Sequence, residues 1–315
     1  MSDNIEILIV GAGPIAREYI KVLDAMNCAP IVVGRGESNL QKVKEAYPRC
    51  KVFGGGINGW LSDNKPPPNA IIATPVEHLA SNTKELLISG CRNILVEKPL
   101  TFNKSEALEL ANLAKLKEAN VFIAFNRRSY VSVMHAKELI EIDGGVSSYH
   151  FDFSEAIFTI NPENYSEQTV QYWGMANSSH VIDTAFHLGG NPETLQCGQY
   201  GNDVSWHKSG SIFTGMGEAP GKVPFTYHAN WGCPGRWNIA IMTSKRKLLL
   251  SPMEQLHQQL SGGFAIELVD LDYSKDLDFK PGFYHQVEVF LKNNGTFHID
   301  DLSDEIELLN RILNY

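Results

Sequence analysis

Hydrophobic and polar positions follow two rhythms over the first 125 residues. Short, nearly unbroken apolar runs, IEILIV (5–10), APIVV (29–33), KVF (51–53), AIIAT (70–74), NILVE (93–97) and VFIAF (121–125), recur between stretches whose apolar residues return every three or four positions. Runs of that length suit strands covered on both faces of a parallel sheet. The intervening period predicts helices. PIAREYIKVLDAM sets Ile15, Tyr19, Val22 and Met26 on one face, and KSEALELANLAKLKEA does the same with Leu108, Ala111 and Leu116. LSDNKPPPN (61–69) reads as a loop, because three successive prolines neither continue a helix nor serve a central strand. The alternation predicts an α/β domain over 1–125.

After FNRRSY the pattern changes. One helical stretch, VSVMHAKELIEI, precedes many β-rich runs, among them VSSYHFDF, KVPFTYHANW, WNIAIMT and KLLLS. Strands in consecutive order predict a second domain, 126–315, of α+β class on an open, largely antiparallel sheet. Helical periodicity returns in FYHQVEVFLKN and LSDEIELLNRIL, the last a candidate to pack back toward the first domain. Trp231 and Trp237, in YHANWGCPGRW, read mainly as sheet packing.

Composition narrows the class. A chain of 315 residues suits two domains, and 43% hydrophobic with 20% charged residues is ordinary for a soluble protein. The net charge of -9 argues against nucleic acid as the main partner. Five cysteines without a CxxC pair read as reduced thiols, and no apolar run reaches the length of a membrane helix. With no basic leader in MSDNIEILIVGAG, the expectation is a cytoplasmic protein.

Candidate chemistry begins at VGAGPIA, a GxGxxA pattern between the first strand and the first helix. Gly11 permits the tight turn, Gly13 lets backbone approach a pyrophosphate, and Ala16 allows close helix–strand packing, with Pro14 and Ile15 opening the helix whose N-terminus faces the phosphates. This is the fingerprint of a Rossmann dinucleotide-binding domain. The second strand ends in Gly34 and Arg35 where an NAD-binding domain would place a carboxylate. A guanidinium there pairs with a 2′-phosphate, so the cofactor expectation leans to NADP, with Glu37 close enough to keep NAD open.

In open α/β sheets the ligand lies beyond the carboxyl ends of the strands. ATPVEH brings Thr74, Pro75 and His78 to that edge after the fourth strand, and NILVEKPL brings Glu97 and Lys98 after the fifth. Lys98 thereby points where a substrate oxygen meets the nicotinamide. Asn126, Arg127, Arg128 and Tyr130 stand where the chain leaves the first domain, as cleft residues or as an ordinary hinge. YWGMANSSH adds Trp173 and Asn177, which suit either a sugar ring or core packing.

GAGPIA, ATPVEH, EKPL, FNRR and SSHVIDTAFHLGG, in this order, resemble the glucose-fructose oxidoreductase and inositol dehydrogenase family, Gfo/Idh/MocA. The resemblance implies a C-terminal α/β domain whose open sheet covers the active site and often forms the oligomer interface. It implies hydride transfer on a sugar, cyclitol or nucleotide sugar, with Lys98, Asp183 and His187 acting at the reacting carbon and no metal. The residues support that chemistry themselves: His180, Asp183 and His187 share one face of a helix through SSHVIDTAFHL. An imidazole suits proton exchange near neutral pH, Asp183 could orient it or bind a substrate hydroxyl, and the Lys98 ammonium could stabilise charge on the oxygen. His180 reads as substrate-binding or as a packing residue.

The expectation is therefore an NAD(P)-dependent oxidoreductase with a small carbohydrate substrate, forming a homo-oligomer through its C-terminal sheet. Two alternatives stay open: a glycoside-cleaving enzyme of the same fold that uses bound NAD in a redox cycle, and a non-catalytic dinucleotide-binding regulator.

Overall fold

The computed structural model describes residues 5–315. The chain divides into two units, one comprising the described residues through Asn126 together with Leu277–Ile306, the other Arg127–Asp276 with Glu307–Tyr315.

In the first unit β1 (Ile7–Val10), α1 (Pro14–Ala25), β2 (Ile31–Val33), α2 (Glu37–Ala46), β3 (Lys51–Phe53), α3 (Gly56–Asp63), β4 (Asn69–Ile72), α4 (Leu79–Ile88), β5 (Asn93–Val96), α5 (Lys104–Leu116) and β6 (Asn120–Ile123) alternate along the chain. The strands form one parallel sheet in the order β3-β2-β1-β4-β5-β6. The direction of winding reverses between β1 and β4, which opens a crevice at their carboxyl ends. β1 and β5, flanked by strands and covered by helices, are buried at every position, whereas edge strand β3 leaves Lys51 and Phe53 exposed. Pro14 starts α1, where its missing N–H costs nothing, and Asn103 caps α5 by accepting from the amides of Ser105 (2.8 Å) and Glu106 (3.1 Å).

In the second unit the chain runs through α6 (Val131–Ile142), β7 (Ser148–Asp152), α7 (Glu167–Gln171), a π-helical turn (Gly174–Ser178), α8 (Ser179–Gly189), and then β8 (Thr194–Tyr200), β9 (Ile212–Ala219), β10 (Val223–Asn230), β11 (Asn238–Met242), β12 (Arg246–Leu250), β13 (His257–Leu260) and β14 (Glu267–Leu268). These strands form an eight-stranded sheet, β14-β13-β12-β11-β7-β10-β9-β8, antiparallel except for the β7–β10 pair. β10 shows why one face is covered: Phe225, Tyr227 and Ala229 are buried, while Pro224, Thr226 and His228 between them are exposed. Phe186 of α8 meets Phe151 and Phe225 of that buried face edge-on, at 5.4 Å between ring centres in each case. β8 and β9 carry no unbroken apolar run, so their composition alone does not announce them. The remaining helices are α9 (Ser274–Asp278), α10 (Phe283–Leu291) and α11 (Leu302–Leu313).

Three expectations need correction. The buried face of α5 is Ala107, Leu110 and Ala114, while Leu108 and Leu116 are exposed. Spacing of i, i+3, i+7 puts these three on one stripe, and Leu108 and Leu116 fall outside it. The segment 61–69 is not all loop: α3 takes Leu61–Asp63 and Asn69 opens β4, so only the prolines and their immediate neighbours lack regular structure. Finally, Leu277–Ile306 belongs with the first unit, not the second. Phe283, Val287 and Phe290 of α10 join the core of Ile7, Ile9, Tyr19, Leu23 and Phe122, with Tyr19 and Phe283 ring centres 4.6 Å apart.

Candidate active site

At the reversal of the first sheet lies a groove of ≈ 530 Å³. Its lining includes Gly11, Gly13, Pro14, Gly34, Arg35, Thr74, Pro75 and His78, all expected from the sequence. Gly11 has φ +123° and its amide donates to Val33 O at 2.8 Å; a Cβ there would stand 2.3 Å from Ala73 O. Only glycine fits both the backbone angle and the approach. At Gly13, by contrast, a Cβ would meet no protein atom within 4 Å, so the missing side chain leaves room on the groove side rather than against protein. Ala16 is fully buried in the core and Ile15 packs against it; neither lines the groove.

Arg35 is exposed at the end of β2, its Cγ 3.0 Å from where a Cβ of Gly56 would be. Among the described residues no carboxylate lines this groove. Sequence reading missed Asn39, Gly55–Asn58, Ser81 and Asn82 as lining. Asn82 donates to Thr74 Oγ1 (3.2 Å), and Arg17 donates to Asn39 Oδ1 (3.3 Å) and Ala12 O (3.2 Å), fixing the groove wall. The glycine run at 54–56 was the available signal.

Lys98 follows β5, is half-buried, and is joined to Pro99 by a cis peptide. Glu97 accepts a hydrogen bond from the Tyr19 hydroxyl at 2.7 Å. Burial is the main cause that pushes its carboxyl above the usual range, against the lowering effect of that bond and of Lys98. Glu97 thus ties the end of β5 to α1 and does not line the groove. Asn126, also buried, donates to Pro281 O at 3.0 Å.

The second unit gathers the other candidates around α8. Asp183 is wholly buried and accepts from Arg128 through Nε (3.1 and 3.0 Å) and Nη2 (2.6 Å), a two-pronged pair in which the arginine side chain is only 14% exposed. His187, one turn further along, is mostly buried; burial, then the charges of Arg128 and Lys137, lower its imidazole to about 3. Arg127 lies over the Trp237 ring at 4.8 Å, with His180 6.4 Å from the same ring. Trp237 is therefore a partner of polar groups rather than the sheet packing expected, whereas Trp231 is buried and donates to Phe153 O.

Other candidates are committed within the fold. Trp173 is buried between Tyr165 and Trp206, and Tyr130 is buried beside Arg127. Asn177 donates to both oxygens of Glu155 (3.1 and 2.9 Å), and Ser178 donates to the same carboxylate at 2.5 Å. Glu155 is buried and holds the π-helical turn from which α8 starts. No sequence signal marked it. It also lines a hollow of ≈ 250 Å³ with Arg127, Arg236 and Trp237.

Residues 5–125 match the model of an oxidoreductase family with an NAD-binding Rossmann fold, GFO_IDH_MocA. A search of curated proteins finds no match. Among solved structures, UDP-N-acetylglucosamine 3-dehydrogenase of Acidithiobacillus ferrooxidans is 15% identical, with a TM-score of 0.77 over 99% of this chain and 97% of that one. A levoglucosan dehydrogenase in complex with NADH is 14% identical, with a TM-score of 0.79 over 99% and 96%. An oxidoreductase of Desulfitobacterium hafniense described as NADPH-dependent is 16% identical, with a TM-score of 0.78 over 100% and 96%. At these identities the likeness is one of fold. Among the described residues no helix is long and apolar enough to cross a membrane.

Proposed function

The chain belongs, through its Rossmann unit, to the Gfo/Idh/MocA oxidoreductase family, and from that premise we propose that it moves hydride to or from a secondary alcohol or ketone of a sugar, cyclitol or nucleotide sugar. The observation that carries this reading is the groove at the head of α1, open beside Gly13 and closed beside Gly11. Its residues fit a dinucleotide: backbone can approach a pyrophosphate at Gly13, and the N-terminus of α1 favours negative charge. Bound there, a nicotinamide dinucleotide supplies or accepts the hydride.

The chain's own residues do the rest. Lys98 lies at the carboxyl end of β5, and its ammonium stabilises negative charge developing on the substrate oxygen. His187, kept neutral, takes the hydroxyl proton in oxidation and returns it in reduction. Asp183 is bound by Arg128 and orients the site without exchanging protons. Arg35, exposed at the groove with no acid beside it in the lining, favours a 2′-phosphate and hence NADP. The exposed face of the second sheet, with Thr226 and His228, is the surface for a second copy of the chain.

The test is a panel of sugars, cyclitols and nucleotide sugars with NADP or NAD, followed by absorbance of the reduced nicotinamide. Turnover of a carbohydrate is expected. If neither dinucleotide binds and no member of the panel reacts, the reading is wrong.

A further inference from the structure

A second cavity of ≈ 530 Å³ lies within the second unit, and its lining shares no residue with the dinucleotide groove or with the hollow beside Trp237. Three half-buried aromatic side chains, Tyr172, Trp206 and Tyr315, form its apolar part, and Gln171, Ser209 and Asn314 supply neutral hydrogen-bonding groups. Among the described residues its charged side chains are Glu167 and Lys208, of opposite sign, so the lining favours neither an anion nor a cation. We propose that this cavity is a second binding site, for the ring of a neutral saccharide. A pyranose has an apolar C–H face, which packs on an aromatic ring, and a rim of hydroxyls, which both donate and accept. The inference does not depend on the reaction assigned to the groove.

The aromatic part is fixed before any ligand arrives. The Tyr315 hydroxyl accepts from Gly174 N at 2.8 Å and stands 2.7 Å from His207 Nε2, which pins the ring between the end of α7 and the β8–β9 connection. Gly174 admits that approach: a Cβ there would be 2.7 Å from the Leu313 side chain and 3.0 Å from the Tyr315 hydroxyl. Tyr172 meets the Tyr315 ring edge-on at 5.1 Å, and Trp206 meets the buried Trp173 edge-on at 5.7 Å. Side chains held in this way lose little freedom when a ligand packs on them. His207 also sets the direction of a polar group. Its Nδ1 lies 2.8 Å from Gly210 O, a pure acceptor, so in the neutral ring Nδ1 carries the proton and Nε2 accepts. Ser209 Oγ, 3.3 Å from that Nε2, donates inward and keeps its lone pairs for a donor in the cavity. Gln171 and Asn314, both exposed, each bring an amide that donates and accepts. A nucleotide would call for several cations around its phosphate, and Lys208, balanced by Glu167, does not supply them.

The test uses the full chain with fluorotryptophan in place of tryptophan and reads its ¹⁹F resonances, those of Trp206 and Trp237 assigned by W206F and W237F. No dinucleotide is added, so turnover does not interfere. Of cellobiose, maltose and N-acetylglucosamine, at least one should move the Trp206 resonance with a Kd on the order of 1 mM. Ser209→Ala and Gln171→Ala should each weaken that titration by about threefold or more, the loss of one hydrogen bond. Gln171 is exposed, so its variant serves if Ser209→Ala does not fold. Lys208→Met should leave the titration within about twofold, because the ligand carries no charge. The proposal is overturned if none of the three sugars moves Trp206, if they move Trp237 alone, or if neither Q171A nor S209A weakens binding. A Trp206 resonance that answers to uridine or glucuronate but not to the neutral sugars, or a titration abolished in K208M, overturns it too, by assigning the cavity to a base or an anion.

Discussion

In the proposed function two residues matter most directly, Lys98 for the reaction and Arg35 for the choice of dinucleotide. Lys98→Met keeps the length of the side chain and removes its charge, so NADPH affinity should stay within a few-fold while turnover falls by about a hundredfold or more, the loss expected for a group acting on the developing oxyanion. Single-turnover kinetics beside fluorescence titration of NADPH would separate the two effects, and unchanged turnover would remove Lys98 from the mechanism. Arg35→Ala should shift relative affinity from NADPH toward NADH by about tenfold or more, since a guanidinium–phosphate pair is lost without altering the groove. A preference untouched by that change would mean that Arg35 is a solvated loop residue. Both positions were legible in the sequence, because they sit at strand ends that the apolar runs locate. Their neighbours were not: Glu97 finds Tyr19, and Asp183 finds Arg128, across 78 and 55 residues, and no local pattern links such partners.

At the level of elements, the turn between β1 and α1 separates two uses of glycine. Gly13→Val should leave the thermal midpoint nearly unchanged, because the added side chain meets no protein atom near its Cβ, while dinucleotide affinity falls by about a hundredfold or more. Gly11→Ala should instead destabilise the chain, since its Cβ would collide with Ala73 O at a positive φ. Differential scanning calorimetry and dinucleotide titration on the two variants would show the contrast, and a Gly13 variant that unfolds early would refute it. The GxGxxA spacing made this turn readable without coordinates. The packing face of α5 is decided by the fold: Leu108 and Leu116 attract attention in the sequence, yet the buried stripe is Ala107, Leu110 and Ala114.

Across the whole molecule, α10 belongs to the core of the first unit although about 160 residues separate it from β6 in the sequence. A fragment ending at Asn126 would lose Phe283, Val287 and Phe290, and removing even one buried Phe costs about 3–5 kcal/mol against a typical total of about 5–15. Such a fragment should show no cooperative thermal transition by circular dichroism; a sharp one near that of the full chain would contradict the assignment.

Acid should also weaken the second unit. His187 is lowered to about 3, and burial lowers His207, whose Nδ1 lies 2.8 Å from Gly210 O and whose Nε2 lies 2.7 Å from the Tyr315 hydroxyl. That hydroxyl accepts from Gly174 N and so donates to Nε2, which holds the ring neutral. Both histidines have folded values below the unfolded one, so the unfolded chain binds more protons below about pH 6.5, and stability present above that pH is lost as it falls. Glu97, raised by burial, acts in the opposite sense, since its contribution is greatest in acid and is lost as pH rises. Urea midpoints should fall between about pH 7.5 and about pH 5, and His207→Gln should flatten the fall; a pH-independent midpoint would refute it.

By itself the sequence determined the parallel βαβ unit, the dinucleotide turn and the helix that carries Asp183 and His187, since each is written in local period or fixed spacing. Only the tertiary structure decided which core α10 joins, that Glu97 braces α1, and that Arg128 claims Asp183. Those outcomes depend on which side chains meet after the chain has folded back on itself, and neither hydrophobic period nor motif spacing encodes such a meeting.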